Sequence, residues 1–276
     1  MQQVLKTMLE NVRAKTPLVH NITNYVTVND VANVLLAAGG SPIMSDDADD
    51  VEDITSICGG LNINIGTLNK NTIPSMFLAG KKANALGHIV LLDPVGAGAS
   101  RLRTDTANRL MQEVRFDAVR GNISEIKTLC TGSGSTKGVD ADAVDAVTEA
   151  NLDDGVQLVK TFAQRAGCIV AVTGAIDLVS DGERCWCIRN GRAEMSRITG
   201  TGCQLSALMT AFLVANPDHK LAAAAAAVCM MGLAGEIGWA NMQPGDGNST
   251  YRNRIIDAIF NMTGDALEEG AKYELR

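Results

Sequence analysis

Apolar and polar positions follow a repeating rhythm along this chain: a helical stripe, a short apolar run, then a glycine or acidic break. Residues 1–10 read as a short amphipathic helix. Residues 16–22 predict a short strand, and Asn29 then caps a helix through Leu36 that stops at Gly39-Gly40. A brief strand at 42–44 leads through the acidic start Ser45-Asp46-Asp47 into a helix ending at Ile57. Strand 61–65 closes at Gly66-Thr67, a helix covers about 74–86, and the apolar strand 88–92 ends at Asp93-Pro94. Strand 116–119 runs into Arg120-Gly121-Asn122, followed by a short helix over 123–130. Residues 131–145, rich in Gly, Ser, Thr and Asp, predict a mobile loop. A helix over about 152–166 precedes strand 168–172, which ends at Thr173-Gly174.

Two further apolar runs, 177–180 and 184–189, flank Asp181-Gly182, a strong hairpin signal. From Cys203 to the C-terminus the pattern is helical. Strands alternating with helices imply a mainly parallel sheet covered on both faces, here with an antiparallel hairpin at one edge. No repeat, linker or composition break divides the 276 residues, so the expectation is one α/β domain spanning 1–276, three layers in α/β/α order.

Composition narrows the function. A formal net charge of −7 disfavours binding to phosphate backbones, which needs clustered Lys and Arg. The N-terminal segment lacks the apolar core of a signal peptide, and the apolar run 221–235 is shorter than the roughly 20 residues that span a bilayer. Seven cysteines, an odd count with no metal-ligand spacing, predict reduced thiols in a cytoplasm.

The candidate chemistry centres on Gly200-Thr201-Gly202-Cys203, a glycine-rich turn entering an apolar helix. Such a turn is often only a connection. It is also an anion site wherever the helix presents its free N–H groups to a ligand. Cys203 sits where a helix N-terminus tends to lower a thiol pKa. In open parallel sheets ligands bind beyond the C-terminal strand ends, which selects Asn24, Met44, Gly66-Thr67, Asp93, Arg120 with Glu125, and Thr173-Gly174. Two phosphate-loop lookalikes fail. Gly132 to Gly138 lacks the Gly-Lys-Ser/Thr order, and after Gly96-Ala97-Gly98 position 101 is Arg where a dinucleotide fingerprint needs glycine. Phosphoryl transfer fits the remaining set: N–H donors at 200–203, carboxylates Asp93 and Glu125 for a metal, Arg120 for developing charge, and Cys203 nearest the acceptor hydroxyl.

Seven stretches, in order, resemble the hydroxyethylthiazole kinases within the ribokinase-like fold: Pro17 to Asn24, Ser41 to Met44, Asn64 to Thr67, Leu92 to Val95, Arg120 to Glu125, Val172 to Gly174 and Gly200 to Cys203. The resemblance implies ATP-dependent phosphorylation of 4-methyl-5-(2-hydroxyethyl)thiazole with Mg2+. It implies Met44 and Gly200 at the thiazole, with Asn24 also facing the substrate, Arg120 and Thr173 at the ATP phosphates, and Asp93 and Glu125 holding magnesium partly through water. A homotrimer with the thiazole site between subunits is also implied, which would account for an Ala- and Met-rich surface. Cys203 stands where most ribokinase-like enzymes carry an aspartate base, and is expected to assist rather than to be indispensable. Gly245 to Tyr251 departs from the family's Gly-Pro-Gly-Ser-Phe pattern. Sibling kinases for hydroxymethylpyrimidine or pyridoxal, the ATP-dependent NAD(P)H-hydrate dehydratase, and a trimeric binding protein without catalysis are the competing expectations.

Overall fold

A computed structural model describes residues 3–131 and 146–276. The predicted loop at 131–145, apart from Thr131, and the Gly132 to Gly138 lookalike lie outside the described residues. The first half alternates without exception: α1 (Val4–Lys15), β1 (Leu18–Ile22), α2 (Val28–Ala38), β2 (Ser41–Met44), α3 (Val51–Ile57), β3 (Gly60–Asn64), α4 (Thr72–Leu86) and β4 (Ile89–Asp93). Next come α5 (Arg101–Glu113), β5 (Ala118–Asn122), α6 (Ile123–Thr131), α7 (Leu152–Ala166), β6 (Ile169–Thr173), β7 (Asp177–Ser180) and β8 (Cys185–Ile188). Helices α8 (Thr201–Ala215), α9 (Lys220–Ala240), α10 (Asn248–Asn261) and α11 (Gly264–Gly270) lead to a last strand, β9 (Tyr273–Leu275).

The strands form one sheet in the order β2-β1-β3-β4-β5-β6-β7-β8-β9. Pairings from β2 to β6 are parallel and those from β6 to β9 antiparallel. Along β4 the buried side chains alternate between faces. Leu91 joins the cluster built with α1, α8, α9 and α10, whereas Val90 and Leu92 join the cluster with α4, α5, α6 and α7. Both faces of the sheet are therefore covered by helices, which is the expected three-layer arrangement.

Five details differ from the sequence expectation. Helix α5 was not foreseen, because its sequence is mostly polar and only Thr106, Ala107 and Leu110 are buried. Helix α2 starts one residue after Thr27 rather than at Asn29. The C-terminal region is not wholly helical, since β9 pairs with β8 and extends the sheet beyond the hairpin. Helix α9 runs past the 221–235 segment to 21 residues, and is the one described helix long and apolar enough to cross a membrane, yet most of it is packed inside the molecule. Its alanines Ala223 to Ala227 are fully buried, as are Met230 and, nearly so, Met231. The anticipated Ala- and Met-rich surface is instead core, because small side chains let α9 lie close to α8 and α10.

The divergent segment 245–251 does not unsettle the last helices. Tyr251 is buried in α10, and its hydroxyl donates to the Gly235 carbonyl in α9 at 2.9 Å.

Candidate active site

Parallel register gathers the C-terminal strand ends on one rim. Asn21 lies beside Met44, Asn64 beside Asp93, and Asn122 beside Thr173. Helix α8 points its N-terminus at this rim from Gly200, whose φ of +85° suits glycine. A Cβ there would stand 2.2 Å from Thr27 Cγ2, so the turn closes against the β1–α2 loop only because it carries no side chain. Gln204 N–H is the first to donate within the helix, to Gly200 O at 2.9 Å. The N–H groups of Thr201, Gly202 and Cys203 therefore precede the helical ladder and are the natural donors to an anion. A Cβ on Gly202 would lie 2.4–2.8 Å from the Arg120 guanidinium. Cation and helix N-terminus thus flank the same space.

Asp93 ends β4 and is fully buried. Its Oδ2 accepts from Asn64 Nδ2 at 2.7 Å and from Ser206 Oγ at 2.8 Å. Its Oδ1 faces Arg120 Nη1 at 3.7 Å and has no hydrogen-bond partner among the described residues, nor has Arg120 Nε. Burial pushes the Asp93 carboxyl above its ordinary range, against the pull of Arg120. Arg120 Nη2 also donates to Thr173 Oγ1 at 2.5 Å, joining the β5 and β6 ends.

Glu125 opens α6. Its Oε1 accepts from Gly96 N at 2.8 Å and its Oε2 from Asn122 N at 2.8 Å, while its own N–H donates to Asn122 Oδ1. The glycine-rich turn after β4, rejected above as a nucleotide fingerprint, serves to hold this carboxylate. Burial first, and the Asp93 charge second, raise the Glu125 carboxyl to about 7. The folded protonated form is therefore favoured between the ordinary glutamate value and about 7, and stability drains away as pH rises through that window. Metal-free Glu125→Gln should lack this loss. Its NH2 must face one of the two N–H donors, from Gly96 or Asn122, so it is expected to be the less stable protein near pH 4 and to gain on the wild type by on the order of 3 kcal/mol between pH 4 and pH 8, measured by denaturant unfolding in chelator. A stability difference that is the same at both pH values would refute this.

Cys203 is nearly buried, and its Sγ accepts from Asn24 Nδ2 at 3.2 Å. The thiol pKa is raised, by burial first and then by the Asp93 charge, not lowered as the helix N-terminus alone would suggest. Desolvation and a neighbouring carboxylate outweigh the helix dipole. Asn24 spends its whole amide on the protein. Its Nδ2 also donates to Asn64 Oδ1 at 3.1 Å, and its Oδ1 accepts from Thr27 N and Thr27 Oγ1. One amide chain therefore links the carboxylate to the thiol, from Asp93 through Asn64 and Asn24 to Cys203. Met44 packs on the small cluster that contains Cys203, Val31 and Ala207.

Sequence reasoning passed over three residues of this site. Asn64 was legible as a polar residue in a strand buried on both faces, where it must be hydrogen-bonded. Ser206, three positions after Cys203, shares its helix face. Arg103 had no signal, since its helix was not foreseen. It donates to Val95 O at 3.1 Å and Gly66 O at 2.7 Å, tying the loops after β4 and β3 together.

Among the described residues, a nine-stranded sheet with a glycine-headed helix aimed at buried carboxylates and an arginine matches the kinases of the ribokinase-like fold. The model of the Hydroxyethylthiazole kinase family matches residues 9–265, and the chain belongs to that family. A hydroxyethylthiazole kinase of Clostridium acetobutylicum is 57% identical over 271 residues, covering 98% of this chain and 99% of that protein. Another, from Clostridium beijerinckii, is 49% identical and covers 97% of this chain and 95% of its own length. The solved structure of the hydroxyethylthiazole kinase protein from Pyrococcus horikoshii superposes with a TM-score of 0.88 at 32% identity, covering all of both chains.

Proposed function

We propose that this chain, as one domain over residues 1–276, transfers the γ-phosphoryl group of ATP to the hydroxyl of 4-methyl-5-(2-hydroxyethyl)thiazole, yielding the phosphate ester and ADP in thiamine biosynthesis or salvage. The observation that carries this reading is a pair of buried polar atoms, Asp93 Oδ1 and Arg120 Nε, that have no hydrogen-bond partner among the described residues and lie beside the first turn of α8. Binding a neutral thiazole needs none of those charges. Transfer to its hydroxyl needs all of them.

In this reading Arg120 and Thr173 hold the ATP phosphates, and the Thr201 to Cys203 N–H groups meet the charge that develops on the transferred group. Met44 and Gly200 line the thiazole pocket. Asn24 sets the orientation of Cys203 rather than touching substrate through its amide. Asp93 and Glu125 suit a magnesium ion: Asp93 Oδ1 is a buried carboxylate oxygen with no hydrogen-bond partner among the described residues, and Mg2+ is commonly held by one or two carboxylates plus water and phosphate oxygens. Bound there, the ion would neutralise charge on the phosphates.

Cys203, a neutral thiol that accepts from Asn24, lies beside the acceptor hydroxyl without serving as its base. A loose phosphoryl-transfer transition state demands little early deprotonation. Cys203→Ala is therefore expected to retain turnover within about a hundredfold of the wild type, no more than the low end of what one general acid–base group contributes. Cys203→Asp is expected to keep full or greater activity. Steady-state ADP release checks both, and loss of all turnover in both variants would make the thiol indispensable.

The same reading takes a homotrimer as the working molecule, with thiazole sites between subunits. Tyr25 and Val26, directly after Asn24, are 76% and 57% exposed and suit coverage by a neighbouring copy. The seven free cysteines suit a reducing cytoplasm. An ADP-release assay with ATP and magnesium, comparing hydroxyethylthiazole, hydroxymethylpyrimidine and pyridoxal at equal concentration, tests the substrate. Selective turnover of the thiazole is expected, and a preference for either other alcohol would favour a sibling kinase.

A further inference from the structure

His20 is fully buried in β1 and takes no part in the chemistry described above. Its Nε2 lies 2.9 Å from the Ser45 carbonyl and its Nδ1 lies 3.0 Å from Thr55 Oγ1. A carbonyl can only accept, so Nε2 carries the proton and Nδ1 accepts from the Thr55 hydroxyl. Burial, which lowers the imidazole pKa, keeps this ring neutral and the tautomer fixed.

The two partners belong to short elements near the β2 edge of the sheet. Strand β2 is at the sheet edge, pairs only with β1, and has four half-buried residues. Ser45 is the first residue beyond it. Thr55 belongs to α3, a helix of seven residues. Between them, residues 45–50 fold back on themselves: Asp50 N and Val51 N both donate to Asp47 O, and Ser45 Oγ donates to Asp50 Oδ2 at 2.5 Å. The ring of His20 thus braces β1 to Ser45, where this connection begins, and to Thr55 within α3, which it leads into. Met44, immediately before Ser45, packs against the cluster that contains Cys203. Any slack at Ser45 is passed to Met44.

We propose that His20 is a positioning residue for the thiazole pocket, holding the end of β2, and with it Met44, by donating to the Ser45 carbonyl while Thr55 fixes the ring tautomer. The proposal rests on the reading of Met44 as a thiazole contact. Arg120 and Thr173 sit on β5 and β6, separated from β2 by β1, β3 and β4. Slack at Ser45 therefore acts on the thiazole and leaves the ATP side alone.

Two variants separate this role from simple core packing. His20→Asn keeps an acceptor near the Nδ1 position for Thr55 but is too short to reach Ser45 O. His20→Gln reaches the Ser45 carbonyl with an amide N–H. His20→Asn is expected to raise KM for the thiazole roughly tenfold, the upper range for one lost hydrogen bond, with KM for ATP and kcat within about twofold. His20→Gln should stay within about threefold of the wild type in all three constants. An unchanged thiazole KM in His20→Asn, or equal rises in both KM values, would overturn the proposal, as would a larger effect in His20→Gln than in His20→Asn. Wild-type protein that does not phosphorylate the thiazole would instead overturn the functional reading, and this role with it.

Discussion

Asp93→Asn is expected to lower kcat by on the order of a thousandfold while leaving the protein as stable as the wild type, or more so. The stability half follows from burial. A carboxylate whose pKa is pushed up by desolvation is a strained group, and a neutral amide of the same shape relieves that strain. The activity half follows from geometry. Asn64 Nδ2 and Ser206 Oγ both donate to Oδ2, so the amide oxygen of an introduced asparagine will face them. Its NH2 group will then occupy the place of Oδ1, presenting a donor toward Arg120 where an acceptor is needed. Thermal unfolding and steady-state kinetics on the same preparation check both halves. A variant that keeps a tenth or more of wild-type kcat, or that unfolds at a clearly lower temperature, would show that Asp93 is held for structure.

Arg120→Gln should lose about a thousandfold in kcat/KM for ATP. The guanidinium lies against the first turn of α8 and joins Asp93 to Thr173, so its removal deletes the cation that pairs with Asp93. A second effect has a definite sign. Arg120 lowers the pKa of both Asp93 and Glu125. Without it both carboxyls move further up, and at neutral pH a smaller fraction is ionised. The residual activity of Arg120→Gln should therefore climb with pH over a range where the wild type has levelled off. A pH–rate profile with the wild-type shape, merely scaled down, would contradict the coupling.

Much of this site could be read before the fold was known, because chemistry at a parallel sheet collects where strands end. Asp93, Arg120 and Thr173 each close an apolar run, and the register brings those ends together as expected. What stayed hidden depends on contacts between distant segments. Nothing local distinguishes Asn64 and Asn24 as the links from Asp93 to Cys203, a bridge that runs from β4 through β3 and the loop after β1 to α8. The Cys203 thiol was misjudged for the same reason. A helix N-terminus is visible in sequence, whereas the burial and the Asp93 charge that reverse the shift are not. Helix α5 escaped notice because its apolar stripe is only three buried residues wide, and β9 because a three-residue edge strand carries almost no periodicity.

The Gly96 turn, rejected in the sequence as a nucleotide fingerprint, has a different role. Gly96 and Gly98 both have positive φ, and the Gly96 N–H is committed to Glu125. A Cβ at Gly96 would also collide with Arg103. Glycine is required there for the close approach of the protein's own side chains.

The most direct test is to follow the label from ATP carrying a marked γ-phosphoryl group, with magnesium and hydroxyethylthiazole as the sole acceptor. Label recovered on the thiazole in step with ADP release is the expected result. ADP formed without labelled thiazole, or no ADP from folded protein that binds both ligands, would contradict phosphoryl transfer at this site.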